Sequence, residues 1–170
     1  MNNLVEVYVE KGFKEVGLML DFVQDDQAQF SKNYLYGLRF QKKHSQGKLI
    51  RVIFGKIYYV VVDLRNESPT FGKYYGVILD GKLQNQFYIE AGFAHGFVVL
   101  SDKAVVEQKN SDFYHAEEED GIYYMDSSIS IDWKDIAKCN LFDLSDKDKS
   151  RKRFDYSTKY FDIQGRWIGE

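Results

Sequence analysis

The sequence predicts a mostly β protein, arranged as a sandwich or jelly roll of many short antiparallel strands. Tyr and Phe number 13 each, an aromatic content that suits half-buried, pleated surfaces better than helices. β-Branched and aromatic residues also cluster in short runs, and no apolar period of 3.6 residues continues beyond the opening segment. Turn-forming residues such as Gly55, Gly81 and Asp102 separate these runs, which is typical of strands joined by tight turns.

The opening segment, residues 1–22, is the part of the chain most typical of a helix or a mixed structure. Residues 49–64 carry apolar side chains at both parities, so both faces of that hairpin should be covered. Residues 133–148 are expected to hold a turn or a short helix. Eight candidate strands lie between these ends, at residues 34–41, 49–54, 56–64, 73–79, 86–89, 96–100, 104–109 and 121–124.

The candidate strand at residues 104–109 allows a prediction about one side chain. Ala104, Val106 and Gln108 share one face of this strand because side chains alternate. Glu107 and Lys109 share the other face with a preference for water. Gln108 is therefore expected to point inward.

Length and composition exclude several classes of protein. A chain of 170 residues, 44% hydrophobic, is long enough for one core, and nothing in it marks a second. The single Cys fits a reducing compartment, so a cytoplasmic location is expected. The net charge of −3, with mixed charges at residues 146–153, argues against nucleic acid as a partner. No signal peptide is recognised, and the longest apolar or aromatic run, residues 57–62, is too short to cross a membrane.

Five motifs occur in the order and rough spacing of a known family. They are YGLRFQ at residues 36–41, QGKLIRVIFGKIYYVVVDLR at 46–65, SPTFGK at 68–73, AGFAHGF at 91–97 and LSDKD at 144–148. With them the chain resembles the dTDP-4-dehydrorhamnose 3,5-epimerases, the RmlC-like cupins, from about residue 22 to residue 148.

The resemblance implies a cupin-type double-stranded β-helix, a jelly-roll barrel, with short flanking helices. It also implies a homodimer that uses no metal or other cofactor and acts on a nucleotide-linked 4-keto-6-deoxyhexose. We expect residues 1–149 to form this domain, N-terminally shortened relative to the family, and residues 150–170 to form an arm on the barrel or on the partner chain. The family reaction inverts C3 and C5 and needs a base, an acid and a group that stabilises the enolate.

The resemblance places the catalytic positions at residues with different chemistry. The family's base is a His in GLHFQ, oriented by the Asp of LSxKD; here the Asp is Asp148 but the His position is Arg39. A guanidinium cannot accept a carbon-bound proton at neutral pH. The family's acid, a Tyr, aligns with Gln108, whose amide has no proton to give. The usual base and acid are therefore both replaced.

The nucleotide-binding positions are altered as well. The family's pyrophosphate-binding Arg aligns with Tyr36, and the DxRG loop with a further Arg is absent. His95, in the AHGF motif, is expected in the cavity, where it could polarise a carbonyl or serve as an ordinary core imidazole. The substrate-binding positions implied by the resemblance are Gln24, Tyr36, Lys48, Gln86, Phe113 and Tyr114.

Several charged residues have less specific interpretations. Arg39 and Asp148 could form an anion site or, more often for such a pair, an ion pair that fixes the cavity wall. His44 and His115 lie in polar stretches, and because the three histidines are far apart in sequence and no His-x-His pair exists, no metal site is expected. Asp25 with Asp26, and residues 117–120, look like solvated acidic turns.

Three hypotheses for the function follow. The first is a sugar-nucleotide isomerase that acts at C3 or C5, whose proton carrier has moved to His95, Tyr36 or His44. The second is a catalytically silent homologue that binds a sugar nucleotide or pairs with an active epimerase. The third is a structural dimeric cupin, in which the aromatic segment at residues 154–167 buries against the partner chain.

Overall fold

A computed structural model describes residues 4–18 and 21–170. Its helices are α1 (Glu10–Glu15), α2 (Trp133–Ala137) and α3 (Asp146–Lys149), and a 3-10 turn spans Ala116–Glu118. No helix in the described part of the chain has the length and apolar character needed to cross a membrane. The strands are β1 (Gln24–Ser31), β2 (Leu35–Gln41), β3 (Lys48–Phe54), β4 (Lys56–Asp63), β5 (Tyr74–Asp80), β6 (Gln86–Ile89), β7 (Phe93–Val99), β8 (Lys103–Asn110) and β9 (Glu119–Gly121).

The strands form two antiparallel sheets that enclose a cavity at one end. One sheet has the order β1-β8-β3-β6, and the other has the order β5-β4-β7-β2-β9. Strands adjacent in a sheet are mostly distant in sequence, as in a jelly roll. The predicted mostly β cupin barrel is confirmed.

Each of the eight predicted strands overlaps an observed one, but β1 was missed. The prediction that Asp25 and Asp26 form a solvated turn is wrong, because both lie in β1, paired with β8 through residues such as Gln108. The cause is the composition of β1, QDDQAQFS, whose inward face meets a polar cavity instead of an apolar core.

Two apolar clusters explain why the central strand β4 is buried almost throughout. One cluster lies between the sheets and includes Ile50, Tyr59 and Phe97. The other lies on the outer face of the five-stranded sheet and includes Val60 and Trp133. Both faces of β4 are therefore covered, as its composition predicts. The same prediction fails at the end of β3, where the side chains at residues 53 and 54 are exposed.

Residues 150–170 pack onto the outer cluster of their own chain. Phe161 is fully buried, and its ring lies 5.7 Å from that of Phe40 on β2. The side chain of Asn66 donates to the carbonyl of Thr158 and accepts from the amide of Tyr160, at 2.9 and 2.7 Å. The boundary at residue 149 and the separate arm stay predictions, and Phe154, Tyr160 and Phe161 contribute buried side chains to the outer cluster.

Candidate active site

An open cavity lies between the sheets, lined by side chains from β1, β2, β3, β7 and β8. Its larger lobe has a volume of about 290 Å³. A surface cleft of about 610 Å³ lies elsewhere, around Gly55, but holds none of the predicted catalytic or substrate-binding residues. The smaller, deeper lobe of the cavity is the one that holds convergent polar groups. The lobes share Asp26, Tyr36, Arg39, Gln108, Tyr114 and Glu119.

The alternation of β1 and β8 brings polar side chains into this cavity. Gln24 and Asp26 point inward from β1, and Gln108 lies opposite Asp26 in the register of β8. The Gln108 amide donates to the Asp26 carboxylate at 3.3 Å. Gln108 thus lines the cavity, as the alternation predicts, and its amide nitrogen is engaged by the Asp26 carboxylate.

Arg39 and Asp148 form a two-pronged ion pair beside the cavity. Arg39 Nε donates to Asp148 Oδ1 at 2.8 Å, and Arg39 Nη2 donates to Asp148 Oδ2 at 2.7 Å. Ser145, the N-cap of α3, also donates to Asp148 at 2.9 Å. Burial alone would lower the pKa of Arg39, but hydrogen bonding to Asp148 raises it above its ordinary value. Arg39 therefore stays charged, and the Asp148 oxygens are engaged.

Glu119 on β9 extends this ion pair into a network. Its carboxylate lies 3.3 Å from Arg39, 2.7 Å from Lys147 and 2.6 Å from Arg151. Burial favours the protonated acid, but the hydrogen bond from Lys147, the charge of Arg39 and the hydrogen bond from Arg151 lower the pKa of Glu119 to about 2. The prediction of a solvated acidic turn at residues 117–120 is therefore wrong for Glu119.

Lys48 on β3 is a buried amine at the floor of the cavity. Its Nζ donates to Gln46 Oε1 and to Asn110 Oδ1, both at 2.6 Å, and within the described residues it has no carboxylate in ion-pair contact. Burial lowers the pKa of Lys48 to about 8, although the negative charge of Asp26 acts in the opposite direction. Two of three ammonium hydrogens are engaged, which leaves one hydrogen, or the lone pair of the neutral amine, for a ligand.

His95 on β7 lines the cavity as a neutral imidazole. Its Nδ1 lies 2.7 Å from the hydroxyl of Tyr59, and both side chains are buried. Burial lowers the pKa of His95 well below its usual range, and the positive charges of Lys48 and Arg39 add to this. Burial likewise raises the pKa of Tyr59. The pair can offer a neutral hydrogen bond to a substrate but holds no charge.

Tyr36 forms an aromatic wall where the resemblance implies an arginine. The Arg39 guanidinium lies over its ring at 4.1 Å, and the Phe97 ring stacks on it at 5.3 Å. Burial raises the pKa of Tyr36 to about 12, with partial compensation from Arg39. Tyr36 is therefore a protonated packing residue of the cavity wall.

The remaining predicted substrate-binding residues divide into two groups. Gln24 lines the cavity, and its Oε1 accepts from the amide of Tyr114 at 2.9 Å. The Tyr114 hydroxyl donates to Glu119 at 3.1 Å, and Phe113 beside it is 59% exposed. Gln86 is not brought to the cavity, because its amide donates to the carbonyl of Val7 at 2.6 Å and so joins β6 to the N-terminal segment.

Sequence reasoning missed two cavity residues and one partner of Lys48. Asp26 and Glu119 were taken for solvent-facing acids, and Asn110, which accepts from Lys48, was not considered. Gln24, Asp26 and Ala28 share one face of β1, but the opposite face is polar too, so the alternation gives only a weak signal for Asp26. Nothing comparable marks Glu119, since its three cationic partners come from two other segments of the chain.

The family model for dTDP-4-dehydrorhamnose 3,5-epimerase matches residues 3–155. The chain belongs to this family. A curated epimerase of the family from Methanothermobacter thermautotrophicus is 42% identical over 87% of this chain and 80% of its own length. A second curated epimerase, from Shigella flexneri, is 42% identical over 88% of this chain and 82% of its own length.

Solved structures of epimerases of this family share the fold. The dTDP-4-dehydrorhamnose 3,5-epimerase of Elizabethkingia anophelis is 45% identical, with a TM-score of 0.80 over 88% of this chain and 82% of its own. RmlC of Legionella pneumophila, in complex with dTDP-4-keto-L-rhamnose, is 42% identical, with a TM-score of 0.83 over 87% of this chain and 78% of its own. This chain is therefore a sugar-nucleotide isomerase-family protein that shares the fold of these epimerases.

Proposed function

We propose that the protein is an epimerase of a dTDP-linked 4-keto-6-deoxyhexose, acting at C3, C5 or both in the synthesis of surface-polysaccharide precursors. Its membership of the epimerase family and the polar cavity between its sheets support this substrate class. The observation that carries the proposal is the buried Lys48 amine, whose pKa of about 8 lets it exist in both protonation states near neutral pH. We assign to Lys48 the proton transfer that the Arg39 position cannot perform.

Two side chains of the deeper lobe, Lys48 and His95, each have a nitrogen that is free to act on a substrate. The neutral amine of Lys48 accepts the proton from the carbon next to the ketone, and the C–H electron pair moves onto the carbonyl oxygen as an enolate. The neutral imidazole of His95 is placed in the same lobe to donate a hydrogen bond to that oxygen. When the enolate collapses, a proton returns to carbon and the ketone forms again.

Inversion requires that the returning proton reach the opposite face of the sugar. Tyr114 offers a hydroxyl in both lobes of the cavity, and burial together with Glu119 raises its pKa, so it holds its proton. We assign it the donor role that Gln108 cannot take. This hydroxyl donates to Glu119 at 3.1 Å, so it must turn toward the sugar to deliver its proton, and solvent then reprotonates the phenolate.

The nucleotide would be held mainly by stacking. Phe113 presents an exposed aromatic face beside the cavity mouth, a suitable platform for a pyrimidine base. Bidentate arginine contacts to the pyrophosphate are absent from the Tyr36 position, so we propose weaker nucleotide binding than an arginine there would give. We also propose that the protein acts in the cytoplasm. We propose further that it is a homodimer, which sedimentation of the purified protein would test.

The test is solvent exchange at the sugar. The protein is incubated in deuterated water with a dTDP-linked 4-keto-6-deoxyhexose, and proton NMR follows the signals at C3 and C5. We expect loss of at least one of these signals, together with a new diastereomer. Unchanged signals under conditions where saturation transfer shows the nucleotide bound would overturn the proposal and favour a silent, ligand-binding cupin.

A further inference from the structure

The fold brings His44 and His115 together, although they are far apart in sequence. Their rings stack with centroids 3.9 Å apart and an interplanar angle of 18°. Asp112 lies beside them, with one carboxylate oxygen 3.4 Å from His44 Nδ1. One nitrogen of each ring and one Asp112 oxygen lie within 4.8 Å of one another. The sequence prediction of no metal site rested on the separation of the histidines, and folding removes that separation.

The backbone around these three residues is fixed by two glutamines that line the deeper lobe of the cavity. Gln41 donates to the carbonyl of His44 at 2.9 Å and accepts from the amide of His115 at 2.6 Å. Gln46 donates to the carbonyl of Asp112 at 2.7 Å. Both glutamine side chains are buried. The two loops that carry the cluster are thus held in register before any ligand arrives.

The side chains themselves keep free coordinating atoms. Asp112 Oδ1 accepts from the amide of Phe113 at 2.8 Å, which leaves Oδ2 directed toward His44. The side chains of His44, Asp112 and His115 are 44%, 41% and 33% exposed, so an ion can reach them and they can move. Glu117, 3.4 Å from His115 Nδ1, is placed to orient that ring from outside, as carboxylates do for metal-bound imidazoles.

We propose that His44, Asp112 and His115 bind a divalent transition-metal ion of the zinc class at the mouth of the cavity. Two imidazoles and one carboxylate form a set typical of zinc, with a fourth position left for water. Imidazole ligands favour zinc, nickel and copper over magnesium and calcium, which prefer sites made of oxygen. Bonds of about 2 Å require the three ligand atoms to draw closer, which rotations of partly exposed side chains supply.

A metal ion here would join the loop after β2 to the loop after β8. The two glutamines that fix these loops also line the deeper lobe of the cavity, and Tyr114 lies between Asp112 and His115. Binding of the ion would therefore stiffen the cavity mouth. This inference does not depend on whether the protein turns over a sugar.

The three histidines of the chain provide an internal comparison for the test. Zinc chloride is titrated into the metal-free protein, with imidazole NMR and calorimetry as readouts. We expect one equivalent to bind, the resonances of His44 and His115 to shift, and those of buried His95 to stay in place. Magnesium chloride should give no binding.

Variants separate this site from the single cysteine of the chain, Cys139. His44→Gln and Asp112→Asn should each weaken zinc binding at least about tenfold, whereas Cys139→Ser should bind as the native protein does. Circular dichroism checks that each variant is folded. Binding that survives in His44→Gln, binding lost in Cys139→Ser, or no binding of one equivalent at micromolar zinc would each overturn the proposal.

Discussion

Arg39 donates two parallel hydrogen bonds, of 2.8 and 2.7 Å, to the carboxylate of Asp148, whose side chain is fully buried. Such a fork is the strong geometry for a guanidinium and a carboxylate. The resemblance implies a base at position 39 that Asp148 orients. In this chain the two residues form an ion pair that fixes the cavity wall instead. The structure therefore supports the ion-pair interpretation of these two residues over the anion-site interpretation.

The first prediction concerns the stability of this wall. Arg39→Ala should lower the free energy of unfolding by about 3 to 5 kcal/mol, because it leaves a buried carboxylate without its main partner. Urea denaturation measures the change. Arg166→Ala removes a matched but exposed partner of Asp162 and should cost less than about 1 kcal/mol. Equal losses in the two variants would contradict the assigned role of Arg39.

The second prediction concerns stability in acid. The pKa of Glu119 is lowered to about 2 in the folded protein, so its stabilising contribution is complete above its ordinary pKa and is lost as the pH falls toward 2. Glu119→Gln should therefore flatten the decline in unfolding free energy between about pH 5 and pH 2. Glu67→Gln, at an exposed site, is the control. An identical acid profile for native protein and Glu119→Gln would contradict the network.

The third prediction restores the family's residues. The double substitution Arg39→His with Gln108→Tyr places an imidazole beside Asp148 and a phenol in the cavity. We expect the rate of solvent exchange at C3 and C5 to rise by about a hundredfold or more, since a positioned base and acid each contribute on that scale. Either single substitution should give less. No gain in the folded double variant would mean that the cavity no longer accepts the sugar in the family's orientation.

The fourth prediction concerns the C-terminal arm. Deleting residues 150–170 removes the buried side chains of Phe154, Tyr160 and Phe161, each worth about 3 to 5 kcal/mol in a core. Their sum approaches or exceeds the stability of an ordinary domain, so the truncated chain should be largely unfolded. Circular dichroism and light scattering distinguish unfolding from a simple change in mass. A folded truncated monomer would instead favour an arm that joins two chains.

Strands with apolar or alternating patterns could be predicted from the sequence, and those with polar inward faces could not. Gln108 was predicted to point inward because Glu107 and Lys109 mark the opposite face of β8 as the solvent-facing one. Asp26 was missed because its strand is polar on both faces, and the cavity that explains this exists only after folding. The pairing of His44 with His115 was likewise invisible, since it depends on two loops held together by Gln41 and Gln46.

The central claim is that Lys48 carries the proton. Its decisive test compares native protein, Lys48→Met and the exposed control Lys82→Met by deuterium exchange into a dTDP-linked 4-keto-6-deoxyhexose. We expect Lys82→Met to match the native rate. Lys48→Met should lose at least about a hundredfold in rate while still binding dTDP. For the native protein, exchange should rise with pH up to about 8, where the amine becomes neutral. Native-like exchange in Lys48→Met would contradict the claim.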